Sequence, residues 1–298
     1  MRIFITGASG WIGTAVTQEV LAAGHEVTGL ARNDDSFARL QAAGVTPHRG
    51  SLDDLDSMRD AAAASDGVIH LAFKHDFSDM AGAGATERAT IQMFGDTLAG
   101  SDRPFLFASG VAGLAPGRVV TEDDEVPFGG PDSPRGGAEQ LALSFASRGI
   151  RPVALRFAPT VHGQGDHGFT SVISGVAQEK GVSGYVGDGS NRWPAVNRAD
   201  AAKLVALALE NAPAGSRVHA VGEEGVSALE IATALGDALG VPTRSIAPDA
   251  AAEHFGWIGM FFALDIPASS AKTQASLDWT PTNPGLIDDI ESGYYGTK

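Results

Sequence analysis

The feature that most constrains the fold is a glycine-spaced turn set directly behind an apolar strand. Residues 2–6 read RIFIT, apolar enough for a strand covered on both faces, and TGASGWIG (6–13) follows at once. Gly7, Gly10 and Gly13 stand where a dinucleotide-binding turn needs them. Gly7 permits the sharp turn off the strand, Gly10 lets backbone approach a pyrophosphate, and Gly13 lets the following helix pack close, its free N–H groups facing the anion. An ATP- or GTP-type phosphate loop is excluded, because Gly13 is followed by Thr14 and Ala15 where that loop requires a lysine and a hydroxyl residue. The turn therefore predicts a dinucleotide held by Gly7, Ser9, Gly10, Trp11, Ile12 and Gly13.

The rest of the chain keeps the rhythm this turn implies. Apolar runs at 2–6, 25–31, 67–73, 104–108 and 153–157 alternate with helical patterns at 11–23, 55–64, 82–100 and 136–148. That is the pattern of a Rossmann-type, doubly wound α/β domain with a parallel sheet, expected over residues 1–157. Beyond 157 the rhythm loosens into glycine-rich loops at 163–168 and 184–189 and helices near 169–180, 199–211 and 228–239. Residues 158–298 are read as a smaller, interleaved substrate lobe, with about 190–225 returning to the sheet. FGWIGMFFALDIP (255–267) is the most apolar stretch and fits a lobe core, a dimer surface or a hydrophobic lid.

Composition removes several function classes. The chain carries 21 basic and 36 acidic residues, a net charge of −15, which opposes nucleic acid and anionic membrane surfaces. No apolar run reaches the ~18 residues of a membrane helix, and the first residues read as a strand and not as a leader, so a cytoplasmic protein is expected. There is no cysteine, hence no thiol nucleophile and no zinc-thiolate site, and no other metal-ligand spacing appears.

The residue that meets the adenosine ribose is expected ~20 positions beyond the turn, at the tip of the second strand, where NAD sites want an acid. The sequence offers Leu30-Ala31-Arg32-Asn33, and an arginine there suits the 2′-phosphate of NADP. Asp34 and Asp35 keep NAD open, since a later strand end would bring one of them to the ribose.

With TGASGWIG, GSLDD (50–54), DGVIHLAF (66–73), FLFASG (105–110), LRFAPTVHGQG (155–165) and LDWTPTNPGLIDDI (277–290), the chain resembles the extended short-chain dehydrogenase/reductase and NAD-dependent epimerase/dehydratase family over nearly its whole length. The resemblance implies that Ser51 and Leu52 lie near the adenine, Leu71, Ala72 and Phe73 beside the nicotinamide-side ribose, and Pro159 and Val161 near the nicotinamide. It puts Ser109 at the family's catalytic serine or threonine. It also implies a homodimer through the helices at 82–100 and 136–148.

The family's tyrosine and the lysine four residues later are missing; their helix reads SPRGGAEQ (133–140), with Arg135 and Glu139 at that spacing. One helical face would pair these two as a surface salt bridge, or turn Arg135 toward the cofactor or a carbonyl-bearing substrate. Candidates for the remaining proton chemistry are Lys74 and His75 after the strand at 67–73, and His162 after the turn at Pro159. Asp166 and His167, and Asn197 and Arg198, are weaker substrate contacts, and Asp200 is expected to cap a helix. The resulting expectation is an NADP(H)-dependent oxidoreductase for a small or medium carbonyl or hydroxyl compound, with Ser109 polarising oxygen. A non-catalytic NADP-binding sensor or partner-binding module and a nucleotide-sugar epimerase or dehydratase are the alternatives.

Overall fold

A computed structural model describes residues 1–74 and 79–296. In chain order the strands are β1 (Arg2–Thr6), β2 (Glu26–Ala31), β3 (Thr46–Arg49), β4 (Gly67–His70), β5 (Pro104–Gly110), β6 (Arg151–Phe157), β7 (Thr160–His162), β8 (Ser183–Val186), β9 (Arg192–Asn197), β10 (Ser216–Ala220), β11 (Glu223–Ser227) and β12 (Thr243–Ile246). The helices are α1 (Trp11–Ala22), α2 (Asp34–Ala42), α3 (Leu55–Ala63), α4 (Met80–Leu98), α5 (Ala138–Ser144), α6 (Phe169–Lys180), α7 (Arg198–Asn211), α8 (Ala228–Leu239), α9 (Ala251–Phe255), α10 (Gly259–Phe262), α11 (Ala271–Leu277) and α12 (Leu286–Glu291).

Seven strands form one sheet in the order β10-β6-β5-β4-β1-β2-β3, and the pairs β3–β2, β2–β1, β1–β4 and β4–β5 run parallel. The order reverses between β1 and β4, so the crevice at the carboxyl ends of these two strands is where an open α/β sheet receives a ligand. Ile3, Phe4 and Ile5 of β1 have no exposed surface, as the unbroken apolar run predicts for a strand roofed by helices on both faces. Phe4, Phe94, Phe105, Phe107 and Phe145 build the core on one side, with Met58 and Ile91 between them.

The chain divides into two compact units, and each is made of several stretches. One comprises Met1–Ser109, Glu125–Arg156 and Ala202–Val218; the other comprises Gly110–Asp124, Phe157–Ala201 and His219–Lys298. The second unit has a three-stranded sheet β11-β9-β7 and the pair β12–β8. Its core gathers Trp193, Ile231, Leu235, Phe255, Ile258 and Phe262, so 255–267 supplies lobe core on one face. Trp257 and Met260 lie exposed on its other face. No helix among the described residues is long and apolar enough to cross a membrane.

Local differences from the sequence expectation have physical causes. α2 and β3 were not anticipated, although Asn33 and Ser36 make a reciprocal capping box that starts α2. β4 stops at His70, and Leu71 to Lys74 follow without regular secondary structure. The helix expected at 136–148 begins only at Ala138, because Arg135, Gly136 and Gly137 all have left-handed backbone angles (φ 55°, 61° and 62°).

Candidate functional site

The glycine turn has the geometry its spacing predicts. Gly7 has φ +73°, and a Cβ on it would stand 2.8 Å from the Ala72 nitrogen. A Cβ on Gly13 would stand 1.9 Å from the Gly7 oxygen, so α1 packs against the turn only because that position is bare. The Gly10 amide donates to the Gly7 carbonyl at 2.9 Å, and α1 starts at Trp11 with Gly10 as its cap and no side chain over its end. A helix start without a side-chain cap hydrogen bond, at a parallel-sheet switch point, fits a dinucleotide pyrophosphate.

Of the other residues expected near a cofactor, Leu71 and Ala72 lie against this turn. The Leu71 amide donates to the Thr6 carbonyl at 3.1 Å and the Ala72 amide to the Thr6 hydroxyl at 3.3 Å, holding Leu71 and Ala72 against Gly7. Ser51 shapes the turn into α3 by accepting from the Asp53 amide, and Leu52 packs on the core cluster. Lys74 forms an ion pair with Asp53 and so ties the segment after β4 to the turn after β3. Arg32 directly follows β2, is exposed, and enters none of the ion pairs among the described residues. Asp34 and Asp35 lie in the first turn of α2, where Asp34 pairs with Arg49 at 2.7 Å and Asp35 with Arg39 at 2.9 Å. His75 lies outside the described residues.

Arg135 and Glu139 do not share a helical face and do not pair. The left-handed turn throws Arg135 off the helix, at a strain cost of roughly 1–2 kcal/mol for a non-glycine residue. Its Nη2 donates to Glu87 Oε1 at 3.0 Å and to the Ala108 carbonyl at 3.1 Å, while its guanidinium carbon stacks 4.5 Å from the centre of the Phe73 ring. Glu87, in the middle of α4, is buried and also meets His70 Nε2 at 3.2 Å. Burial alone would raise the Glu87 carboxyl, but His70 and Arg135 outweigh it and hold the group below the usual carboxylate range.

Glu139 opens α5 and serves three adjacent strands. From β6 the fully buried Arg156 donates through Nε at 3.1 Å to both carboxylate oxygens and through Nη2 at 2.5 Å to one. From β10 Arg217 approaches to 3.7 Å, and from β5 the Ser109 hydroxyl donates at 2.6 Å. Removing one partner of such a buried pair would cost about 3–5 kcal/mol, whereas the expected exposed pair would be worth tenths. The bond also corrects the role expected of Ser109: its proton is committed to Glu139, so toward a ligand the serine oxygen presents lone pairs and does not polarise a carbonyl.

In the second unit, Pro159 is half-buried and Val161 and His162 belong to β7. His162 is a wholly buried strand end and not a loop residue; its Nδ1 meets Asp289 Oδ2 at 2.5 Å, and its Nε2 has no hydrogen-bond partner. Asp166 accepts from the Tyr295 hydroxyl at 2.7 Å and from the Gly168 amide, so it pins the carboxy-terminal segment to the loop. Asp200 does not cap α7. Its carboxylate accepts from the Thr282 and Asn283 amides, and Asn197 supplies the cap by accepting from the Ala199 amide at 3.0 Å. No group of three or more metal-ligating side chains occurs among the described residues.

The profile of the NAD-dependent epimerase/dehydratase family matches residues 3–222. The chain belongs to that family. Family membership makes a nicotinamide dinucleotide the class of cofactor. The chain is 47% identical over 296 residues to uncharacterized protein C2A9.02 of Schizosaccharomyces pombe, covering 99% of this chain and 100% of that protein. It is 42% identical over 299 residues to uncharacterized protein YLL056C of Saccharomyces cerevisiae, covering 99% of each. A ketoreductase of Stigmatella aurantiaca acting on a farnesyl dihydroquinoline oxide is 29% identical over 170 residues, 52% of this chain and 49% of that one. Among solved structures, the dTDP-glucose 4,6-dehydratase DesIV of Streptomyces venezuelae, with NAD bound, superposes with a TM-score of 0.78 at 20% identity, covering 99% of this chain and 96% of that one. The last similarity concerns the fold.

Glu87, His70 and Arg156 were not singled out from sequence. Arg156 had a readable signal, a charge inside the apolar strand run VALRF, which demands a buried counter-charge. Glu87 had only its place in a helix otherwise rich in small residues, and its partners lie 17 and 48 positions away.

Proposed function

We propose that the chain is an NADP(H)-dependent oxidoreductase that interconverts a carbonyl and a hydroxyl group on a small or medium-sized molecule. The observation that carries this is the end of β2: the strand stops at Ala31, Arg32 follows with its guanidinium exposed, and both acids that suit NAD are engaged with Arg49 and Arg39. A guanidinium at that tip takes a 2′-phosphate through charge-assisted, bidentate hydrogen bonds. Gly7, Gly10 and Gly13 would hold the pyrophosphate, with Leu71, Ala72 and Phe73 along the adjoining ribose and Ser51 and Leu52 at the adenine. When bound, the cofactor supplies or accepts the hydride.

The chain's own residues orient the substrate and handle the proton. Ser109, its proton given to Glu139, accepts a hydrogen bond from a substrate hydroxyl. Arg135 is left as the donor toward a substrate oxygen. His162, met by Asp289 at one ring nitrogen and by Glu223 at 3.7 Å on the other, is the histidine proposed for proton transfer. The ketoreductase name of one relative agrees with carbonyl chemistry.

Fluorescence titration with NADPH and NADH, followed by a turnover screen on aldehydes, ketones and nucleotide sugars, tests the proposal. Preferential NADPH binding with turnover of a carbonyl compound is expected. Tight binding without turnover would make the chain a sensor, and turnover of a nucleotide sugar with retained cofactor would make it an epimerase or dehydratase.

A further inference from the structure

We infer that Arg135 binds the negatively polarised oxygen of the substrate, and that Glu87, His70 and Thr6 form a buried line of positioning residues that fixes it. This rests on the oxidoreductase reading of the same site. The backbone beneath Arg135 is built for the purpose. Gly136 and Gly137 continue its left-handed turn, a Cβ on Gly136 would stand 2.4 Å from the Gly84 oxygen, and Arg88 Nη1 clamps the Gly136 carbonyl at 2.8 Å. Non-glycine residues held left-handed against such close packing are characteristic of functional sites.

The guanidinium is fixed without being used up. Glu87 and the Ala108 carbonyl take two of its five N–H donors, Phe73 covers one face, and 32% of the side chain stays open. Its Nε–H is buried and has no hydrogen-bond partner, so it reports on the guanidinium's surroundings, while the open part of the group is what a substrate oxygen can reach. Ala108 adjoins Ser109, so the cation stands beside the serine's backbone.

Behind Arg135 lies a continuous line of hydrogen-bonded side chains. Thr6 Oγ1 accepts from the Ala72 amide and meets His70 Nδ1 at 2.6 Å, and His70 Nε2 faces Glu87 Oε2 at 3.2 Å. Thr6, His70 and Glu87 are all buried, and Thr6 immediately precedes Gly7. The arginine is thus tied by side chains to the base of the cofactor turn. A guanidinium placed this way stabilises charge on oxygen without itself giving up a proton, which suits a site with no tyrosine before residue 185.

The test uses the full chain labelled with ¹⁵N-arginine and saturated with NADPH. Acetate, with acetamide as its neutral counterpart, probes the oxygen site, and the Arg135 Nε–H signal is assigned by its loss in Arg135→Lys. Acetate should move that signal and acetamide should not. In Glu87→Gln the Nε–H should exchange with water at least ten-fold faster while that of Arg156 stays unchanged. Thr6→Val, two links further back, should give a smaller acceleration and serves if Glu87→Gln does not fold. With a substrate in hand, Arg135→Lys should lower kcat/KM roughly 100-fold, mostly in kcat, with NADPH affinity within two-fold. An acetate-insensitive Arg135, or exchange within two-fold of wild type in both positioning variants, overturns the inference. No turnover of any carbonyl compound alongside intact acetate and exchange responses defeats the oxidoreductase reading and leaves Arg135 as an anion site.

Discussion

Two glycine-bearing turns open helices in the first unit, and they use glycine for opposite ends. At Gly7 to Gly13 glycine removes side chains so that backbone packs directly on backbone, and the contacts are short: 2.8 Å from a Gly7 Cβ to the Ala72 nitrogen, 1.9 Å from a Gly13 Cβ to the Gly7 oxygen. At Arg135 to Gly137 glycine makes room for a side chain, since two left-handed glycines let the residue before them swing away from the helix. The first turn is complete in itself, whereas the second acquires meaning only from Glu87, Phe73 and Ala108, all distant in sequence. A backbone site can be written in eight consecutive letters; a side-chain site cannot.

The contrast can be broken by substitution. The largest effect is expected for Gly13→Ala, where relieving a backbone clash at 1.9 Å should cost about 3 kcal/mol, or roughly 100-fold in affinity for NADPH and NADH alike by fluorescence titration. Binding retained within a few-fold would remove this turn from the cofactor site. Gly136→Ala should instead cost about 2–3 kcal/mol of folding stability, from its contact with the Gly84 oxygen and its φ of 61°, with cofactor affinity unchanged. If denaturant melts and titrations fell together, the two turns would not be separate devices.

Arg32→Ala should weaken NADPH roughly ten- to 100-fold and NADH less than two-fold, as expected for lost charge-assisted bonds to one phosphate; equal losses for both would refute the 2′-phosphate contact. Glu87 supplies a pH signature. Its carboxyl lies lower in the folded chain than in the unfolded one, so its stabilisation is fully present above the ordinary carboxylate range, near pH 4.3, and is lost as pH falls toward the lower folded value. Glu87→Gln should flatten that acid limb in denaturant titrations below about pH 5, and an unchanged slope would show that Glu87 does not hold its charge. Smallest of all, breaking the exposed Asp35–Arg39 pair with alanine should change stability by less than about 0.5 kcal/mol.

What was legible in the sequence follows the same division. β1, the turn and α1 were readable because one local pattern dictates them, and the alternation of runs gave the parallel sheet. Asp34 and Asp35 were harder, since the same acids suit a ribose or a helix start, and the structure puts both in the first turn of α2. The segment after Pro134 misled for a physical reason: proline marks a first helical turn, but Gly136 and Gly137 accept left-handed angles at little cost and delay α5 to Ala138. Nothing local to Glu139 announces Arg156 or Ser109, because strands neighbouring in the sheet bring them there.

The left-handed step at Arg135 has a consequence for how spacing along this chain is read. Arg135 and Glu139 stand four residues apart, a spacing that on one continuous helix means one direction in space. Here the step rotates the backbone between the two, so Arg135 faces α4 and Phe73 while Glu139 faces three strands of the sheet. Any pair of side chains substituted at 135 and 139 would inherit these two separate directions, unless Gly136 and Gly137 were returned to helix as well.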